Sequence, residues 1–317
     1  SSQNEQDNRH FAQMSYTPVL EPANPQEVYA YYLEAAKIAR KLQMPIIVRL
    51  TTHVCHAKER VAFGAYRPQA GDDTPRFDAA NGPYIPLTSL IFPQKARALA
   101  NLEAVEAQGE RGALNRLVEC GNAKRGIITA GMPFLSLMDI LPAASQKPDI
   151  LKLGLVYPPS KKAILNFLKS HQEVKILEEL DNELEKQIKA MAFDANLTVK
   201  IFGKSDPGEW MGEYTPDKVY GVLRKVWPDL LPAEAPPRDL PPVPPRPAQM
   251  CPGCGHRSAF HAIKAALADT DVEAVLIATR HHLHAEAVLV SHDDRLPVRR
   301  RIDVGEELEL LLVVAEG

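Results

Sequence analysis

The period of the apolar positions changes several times along the chain, and each change marks an element. Asn24-Pro25-Gln26-Glu27 reads as a helix start, since Asn24 can cap, Pro25 fits the first helical position and Glu27 can reach back to the cap. Val28, Tyr32, Ala35, Ala39 and Leu42 follow at helical spacing and predict one buried face, which Pro45 ends. Ile46 to Leu50 is a β-branched run that predicts a short buried strand. Residues 60–93 carry Gly, Pro and Asp with weak periodicity and predict a connecting segment. Gln94 to Glu119, rich in Ala, Leu and Glu, predicts a helix.

From Arg125 the alternation becomes regular. Strands are predicted at Gly126–Ala130, Ile150–Val156, Val174–Leu177 and Leu197–Phe202. Helices are predicted between them at Leu135–Ala144, Ser160–Ser170 and Asn182–Met191. Parallel neighbours need crossover connections, so this order predicts an α/β fold with a small doubly wound parallel sheet and helices on both faces. Pro236 to Pro247 is extremely proline-rich and predicts a semi-rigid linker, because proline fixes φ and cannot donate a ladder hydrogen bond. A new unit is predicted from Met250, with a helix at Ser258–Leu267 and a strand at Ala274–Ala278. Leu308–Ala315 is an apolar run compatible with a strand, and there is no internal repeat.

Composition narrows the function classes. A hydrophobic content of 45% and a length of 317 residues suit a soluble chain of two or three domains. The formal charge of −3 gives no basic footprint, so neither nucleic acid nor an acidic membrane surface is an expected partner. No apolar run approaches the ~20 residues of a membrane helix. Ser1 to His10 is polar throughout, unlike a signal peptide, and its start without Met predicts a processed, tagged or truncated beginning. Cys55, Cys120, Cys251 and Cys254 are too few for a disulfide framework, which makes a reducing cytoplasm the default setting.

The sharpest local signal is Cys251-Pro252-Gly253-Cys254-Gly255-His256-Arg257, just after the linker and just before a helix. Two thiols three residues apart can reach one metal, one cluster or each other, and the glycines let the backbone fold tightly around what is held. Half of an iron–sulfur or zinc site, a redox dithiol and a turn lining a cofactor all fit. Zinc would need two further ligands; His261, His281, His282 and His284 could supply nitrogens, but their spacing is not that of a finger. The three clustered histidines read first as a solvated loop end. Glu178-Glu179 and Asp181 form an acidic knot at a strand's end, where a doubly wound sheet carries its functional crevice. A solvated helix start is the blander reading of that knot. There is no phosphate loop, nucleophile elbow, H-E-x-x-H or G-x-G-x-x-G.

Several phrases, in order, resemble the alpha subunit of indolepyruvate ferredoxin oxidoreductases, which are thiamine-diphosphate-dependent 2-oxoacid oxidoreductases. Ser1-Ser2-Gln3-Asn4-Glu5-Gln6-Asp7-Asn8-Arg9 is similar to a segment late in that family's pyrimidine-binding domain. Ile47-Val48-Arg49-Leu50-Thr51-Thr52-His53-Val54-Cys55-His56 resembles the same domain's closing strand and turn, with His53 where relatives commonly carry Arg. Leu151-Lys152-Leu153-Gly154-Leu155-Val156-Tyr157-Pro158 and Glu178-Glu179-Leu180 resemble the transketolase C-terminal-like domain. Gly212-Glu213-Tyr214-Thr215-Pro216 precedes the linker, and the Cys251 phrase resembles the opening of the diphosphate-binding domain.

The resemblance, over about residues 1–267, implies a pyrimidine-type domain end at 1–60, a connecting segment at 61–120 and a transketolase C-terminal-like domain at 121–205. A linker at 206–249 and the truncated start of a diphosphate-binding-type domain at 250–290 would follow, with 291–317 unassigned. It implies thiamine diphosphate, magnesium and an iron–sulfur cluster as cofactors, and a second oxidoreductase subunit, ferredoxin and coenzyme A as partners. It places Cys251 and Cys254 as cluster ligands and Cys251, Gly253, Cys254, Gly255 and His256 as a cofactor-binding turn. The family's G-D-I-G-C and G-D-S phrases and its cysteine-rich C-terminal run are absent, so the chain is expected to be an incomplete, inactive piece. Two other readings compete: a non-catalytic assembly module, and a nicotinamide-dehydrogenase remnant at 271–286, whose Asp271 to Glu286 phrase resembles a strand–turn–helix of such enzymes.

Overall fold

The computed structural model describes residues 5–65, 87–111, 114–233, 255–268, 274–278, 298–303 and 309–314. The chain divides into two units, Ser1–Ala235 and Pro236–Gly317. The first begins with α1 (Arg9–Ser15), β1 (Val19–Leu20), α2 (Pro25–Leu42), β2 (Ile47–Val48), α3 (Thr52–His56) and α4 (Ile91–Arg111). The α2 start behaves as its sequence predicts in one respect: Asn24 Oδ1 accepts from the Glu27 N–H at 2.9 Å. Glu27 instead reaches one residue further back and accepts from the Ala23 N–H at 2.7 Å. The buried face of α2 is Tyr31, Ala35 and Ile38, whereas Tyr32 is 65% exposed. The face is set by Tyr31, whose hydroxyl donates to the Leu114 carbonyl and accepts from the buried Lys152 ammonium.

The second half of the unit is the alternating one. It comprises β3 (Arg116–Val118), β4 (Arg125–Ala130), α5 (Met132–Ile140), β5 (Asp149–Leu153), β6 (Leu155–Tyr157), α6 (Lys161–Lys169), β7 (Glu173–Leu177), α7 (Glu183–Asp194), β8 (Lys200–Phe202) and α8 (Pro216–Val226). The main sheet runs β3-β5-β4-β7-β8, parallel throughout except for β3, which lies antiparallel on the β5 edge. Successive strand residues face opposite sides. Ile127, Ile150 and Leu177 pack with Phe134 and Leu137 of α5 and Val219, Val222 and Leu223 of α8. Ile128, Leu151 and Ile176 pack with Ile164 and Phe167 of α6 and Leu184 and Ile188 of α7. The expected doubly wound unit is therefore present, with helices on both faces.

Three expectations change. The strand read as buried at Ile46–Leu50 is only the half-buried pair Ile47–Val48, with Leu50 exposed. The helix read through Glu119 ends at Arg111, and Arg116–Val118 is the edge strand β3. Asn115 marks the break: its Nδ2 donates to the Gly109 carbonyl and its Oδ1 accepts from the Gly154 N–H. The single strand read at Ile150–Val156 is divided at Gly154 between two sheets, because β6 pairs with β1, and β1 with β2, in a second, three-stranded sheet. Leu20 and Leu155 of that sheet pack with Tyr31, Ala35 and Ile38 of α2, Val105 of α4 and Leu114.

The second unit contains α9 (Gly255–Ala268), β9 (Ala274–Ala278), β10 (Val298–Asp303) and β11 (Glu309–Val314), the strands forming an antiparallel sheet ordered β10-β11-β9. The strands read at Ala274–Ala278 and in the apolar run from Leu308 are both there. The proline-rich linker at 236–247 and the histidines 281, 282 and 284 lie outside the described residues. Among the described residues no helix is long and apolar enough to cross a membrane.

Gly154 is where the chain passes between sheets, and a Cβ there would stand 2.1 Å from the Leu114 carbonyl oxygen and 2.3 Å from the Tyr31 hydroxyl. Backbone cannot rotate away, so Gly154→Ala is expected to cost about 1–3 kcal/mol of stability, seen as a lower urea midpoint with an unchanged slope. An unaltered midpoint would show that the two sheets are not so tightly apposed.

Candidate functional site

In the order β5-β4-β7-β8, the chain leaves β4 toward one neighbour and returns to β7 on the other side, so the crevice of this sheet lies beyond the carboxyl ends of β4 and β7. Gly131 follows β4, and Glu178 and Glu179 follow β7. The small sheet delivers two more charges at its strand ends, Glu21 after β1 and Arg49 after β2. Gly131 has φ +58°, and a Cβ on it would lie 2.4 Å from Glu21 Oε1, so the glycine lets β4 abut that carboxylate. Asp7, Arg9, Glu21, Arg49, Glu178 and Glu179 are all buried.

Arg9 is the hub. Its Nε and Nη2 reach Asp7, Nη1 donates to Glu178 Oε2 at 2.7 Å, and Nη2 also donates to the carbonyls of Glu179 and Asp181 at 2.9 Å. Burial disfavours its charge, but the Asp7 hydrogen bond and the Glu178 and Glu21 carboxylates more than offset that and push its pKa up. Burial likewise works against the Asp7 carboxylate, yet Arg9 holds it below the usual range. Glu178 also accepts from the Leu184 and Glu185 N–H groups at 2.9 and 2.8 Å, serving the open N-terminus of α7. The acidic knot thus is a helix start, but a buried one: Glu178 and Glu179 are only 3% and 2% exposed.

Arg49 serves the second carboxylate. Its Nη1 lies 2.9 Å from Glu21 Oε1, an ion pair by distance although no N–H points along it, and its Nε donates to Asn8 Oδ1. Glu179 Oε1 accepts from the Tyr214 N–H at 2.9 Å. Three buried oxygens here, Glu21 Oε2, Glu179 Oε2 and Thr51 Oγ1, have no hydrogen-bond partner. Burial raises the Glu179 pKa; the Tyr214 N–H opposes this and the Glu21 charge adds to it. Nearby, Lys204 Nζ donates to the Glu178 carbonyl, the Glu209 carbonyl and the Tyr214 hydroxyl, and burial pulls its pKa down to about 8.

A separate cavity of about 400 Å³ opens beside the edge strand, lined by Leu117, Asp149, Leu151, Asn166, Phe167 and His171 among others. Ser170 Oγ, His171 and Asp149 form a chain there, at 3.2 and 3.3 Å. It is not a hydrolytic triad. His171 Nδ1 stands 2.7 Å from the Phe167 carbonyl, so it must donate there and cannot take a proton from Ser170.

No family model matches the chain. Curated relatives named indolepyruvate oxidoreductase subunit IorA match most of it. That of Methanothermobacter thermautotrophicus is 31% identical over 270 residues, 84% of this chain and 43% of its own length. That of Methanothermobacter marburgensis is 30% identical over 86% of this chain and 44% of its own. That of Pyrococcus horikoshii is 30% identical over 84% and 42%. The chain belongs to the indolepyruvate oxidoreductase alpha-subunit family. It spans less than half the length of these IorA relatives. Among solved structures, a 2-oxoglutarate:ferredoxin oxidoreductase from Magnetococcus marinus superposes with a TM-score of 0.44 at 17% identity, covering 67% of this chain and 42% of that one. A split-gene transketolase gives 0.37 at 13% identity, covering 68% and 58%. Both scores are too low to add to the sheet order described above.

In this IorA-family chain, the crevice gathers Asp7, Arg9, Arg49, Glu178, Glu179 and Tyr214, drawn from four of the phrases that carried the resemblance. Glu21 was not singled out by sequence; a charged residue directly after the apolar pair Val19-Leu20 was its only signal. His53, the seventh residue of the phrase that contains Arg49, ends up exposed with Nδ1 3.7 Å from Glu213 Oε2. Cys251, Gly253 and Cys254 lie outside the described residues, while Gly255 and His256 open α9. Removing the Arg9 guanidinium takes from the buried Asp7 and Glu178 the cation bonded to both. Arg9→Met is therefore expected to cost about 3–5 kcal/mol in chemical denaturation. A loss within experimental error would mean that the carboxylates find other partners.

Proposed function

We propose that the chain is part of an oxidoreductase that oxidatively decarboxylates aryl pyruvates, indolepyruvate in the first place, to acyl-CoA and passes the electrons to ferredoxin. What supports this is the similarity to IorA proteins over more than four-fifths of the chain. The relatives are named as subunits, which supports a second oxidoreductase subunit as partner. Thiamine diphosphate with magnesium would supply the electron sink that lets carbon dioxide leave. Among the described residues no three His, Cys, Asp or Glu side chains come together to hold a metal ion. The described crevice therefore does not fit magnesium by itself, and its role in this reading is to fix the strand ends.

The cluster ligands in this proposal are Cys251 and Cys254, with Gly253, Gly255 and His256 as further cofactor-binding residues. A reducing, cytoplasmic setting belongs to the same reading. The chain on its own is expected to give no indolepyruvate-dependent dye reduction, and measurable turnover by it would overturn that part. Anaerobic reconstitution with iron and sulfide should produce iron–sulfur absorption that Cys251→Ser abolishes; a featureless spectrum for the unsubstituted chain would remove both cysteines as ligands. The complex of a complete alpha subunit carrying this sequence with its second subunit should oxidise indolepyruvate in preference to pyruvate. The reverse preference would sink the substrate class while leaving the family intact.

A further inference from the structure

One row of the main sheet is open at its end. Pairing sets Leu117 opposite Leu151, Leu151 opposite Ile128 and Ile128 opposite Ile176, so these four side chains stand side by side on the face that carries α6 and α7. Leu151, Ile128 and Ile176 are at most 4% exposed, whereas Leu117 is 52% exposed. Parallel sheets are normally covered on both faces. Here the α6 face is left open over β3, and the gap between the end of α4 and α6 is the cavity of about 400 Å³ beside the edge strand. Its apolar lining is Leu117, Leu151, Ala163 and Phe167. None of its lining residues belongs to the crevice cluster around Arg9 and Arg49.

The polar lining is unequal in sign. Glu110, Glu119 and Asp149 are acids, and His171 is the one titratable base among the lining residues. Most of the hydrogen-bonding capacity is already spent. Asp149 Oδ1 accepts from the Cys120 and Asn122 N–H groups at 2.7 and 3.1 Å. His171 has Nδ1 on the Phe167 carbonyl and Nε2 3.3 Å from Asp149 Oδ2, so neither nitrogen is free to receive an anion. Asn115 is occupied by the Gly109 carbonyl and the Gly154 N–H. What remains to meet a ligand is the exposed Asn166 amide and two acids. Glu119 is exposed and has no ion pair among the described residues. Glu110 has Lys162 at 3.3 Å, an ammonium whose side chain is 69% exposed and therefore well screened by water. An anion entering here would meet carboxylates with no free cation to offset them, and a cation would meet two carboxylates.

We propose that this cavity is a binding site for a small arylalkyl amine. The flat apolar body lies on Leu117, Leu151 and Phe167 and completes the row that the helices leave open, while the ammonium group faces the Glu119 and Glu110 carboxylates. The volume falls within the range of about 300–1,000 Å³ usual for small-molecule sites, which combine an apolar lining with a few polar groups that fix orientation. The site stands apart from the proposed reaction and does not depend on it.

Phenethylamine is the probe. Titrated into the full chain at neutral pH, it should bind saturably, seen by isothermal titration calorimetry and by saturation transfer from the protein to its ring protons. Phenylethanol, with the same ring and no charge, should bind more weakly, and phenylacetate should not bind. Added salt should weaken the amine's binding, because the carboxylates concerned lie at the surface. Glu119→Lys should lower the affinity about tenfold. Leu117→Arg, which puts a long cationic side chain into the cavity, should abolish binding. Both positions are exposed, and should Leu117→Arg lower the urea midpoint, Glu119→Lys alone decides. No saturable binding of phenethylamine, equal binding of phenylacetate, or undiminished affinity in Glu119→Lys would overturn the proposal. So would a dimer of the chain that Leu117→Arg splits, since a second copy would then be what covers the open row.

Discussion

Two buried guanidiniums hold this unit's strand ends in place. Arg9 ties the segment before α1 to the residues that follow β7, and Arg49 ties the end of β2 to the end of β1. Each works only because it is buried: in a low-dielectric setting a charge-assisted hydrogen bond is strong, and leaving its partner alone is costly. The strands themselves contribute ladder bonds and apolar contacts, and the run through Gly154 joins the two sheets. The ion pairs are directional, so they fix that meeting point.

The same arrangement explains why the carboxyl ends of the strands are so acidic. Helix α7 follows β7 across residues 178–182, and its unpaired N–H groups need acceptors that water cannot reach. Glu178 meets that need and must then be neutralised, which is what Arg9 does. Glu179 turns the other way, toward Tyr214 and the start of α8, so one dipeptide serves both faces of the sheet.

Much of this was legible in the sequence, because the features that set it are local. The alternation from Arg125 onward, the Asn24 cap and the Pro25 start each have a cause within a few residues. The failures share a different cause. The buried face of α2 lies one position from the expected one because Lys152, over a hundred residues away, needs the Tyr31 hydroxyl. The helix through Glu119 was cut short because Arg116–Val118 finds an edge to pair with, and pairing partners do not show in a local period. The acidic knot looked solvated because an Arg at position 9 gives no sign, in sequence, of facing position 178. The site was thus half visible: its residues stood in phrases already noticed, but their mutual contacts depended on the fold.

The strand broken at Gly154 has a mechanical consequence. One run of backbone, Asp149–Tyr157, is a ladder member of both sheets, with a single glycine between its two halves. Sliding one sheet past the other would have to break hydrogen bonds on both sides of that residue together. The two layers consequently behave as one girder with a welded corner, and whatever flexing this unit undergoes must be taken up in its loops rather than at the seam.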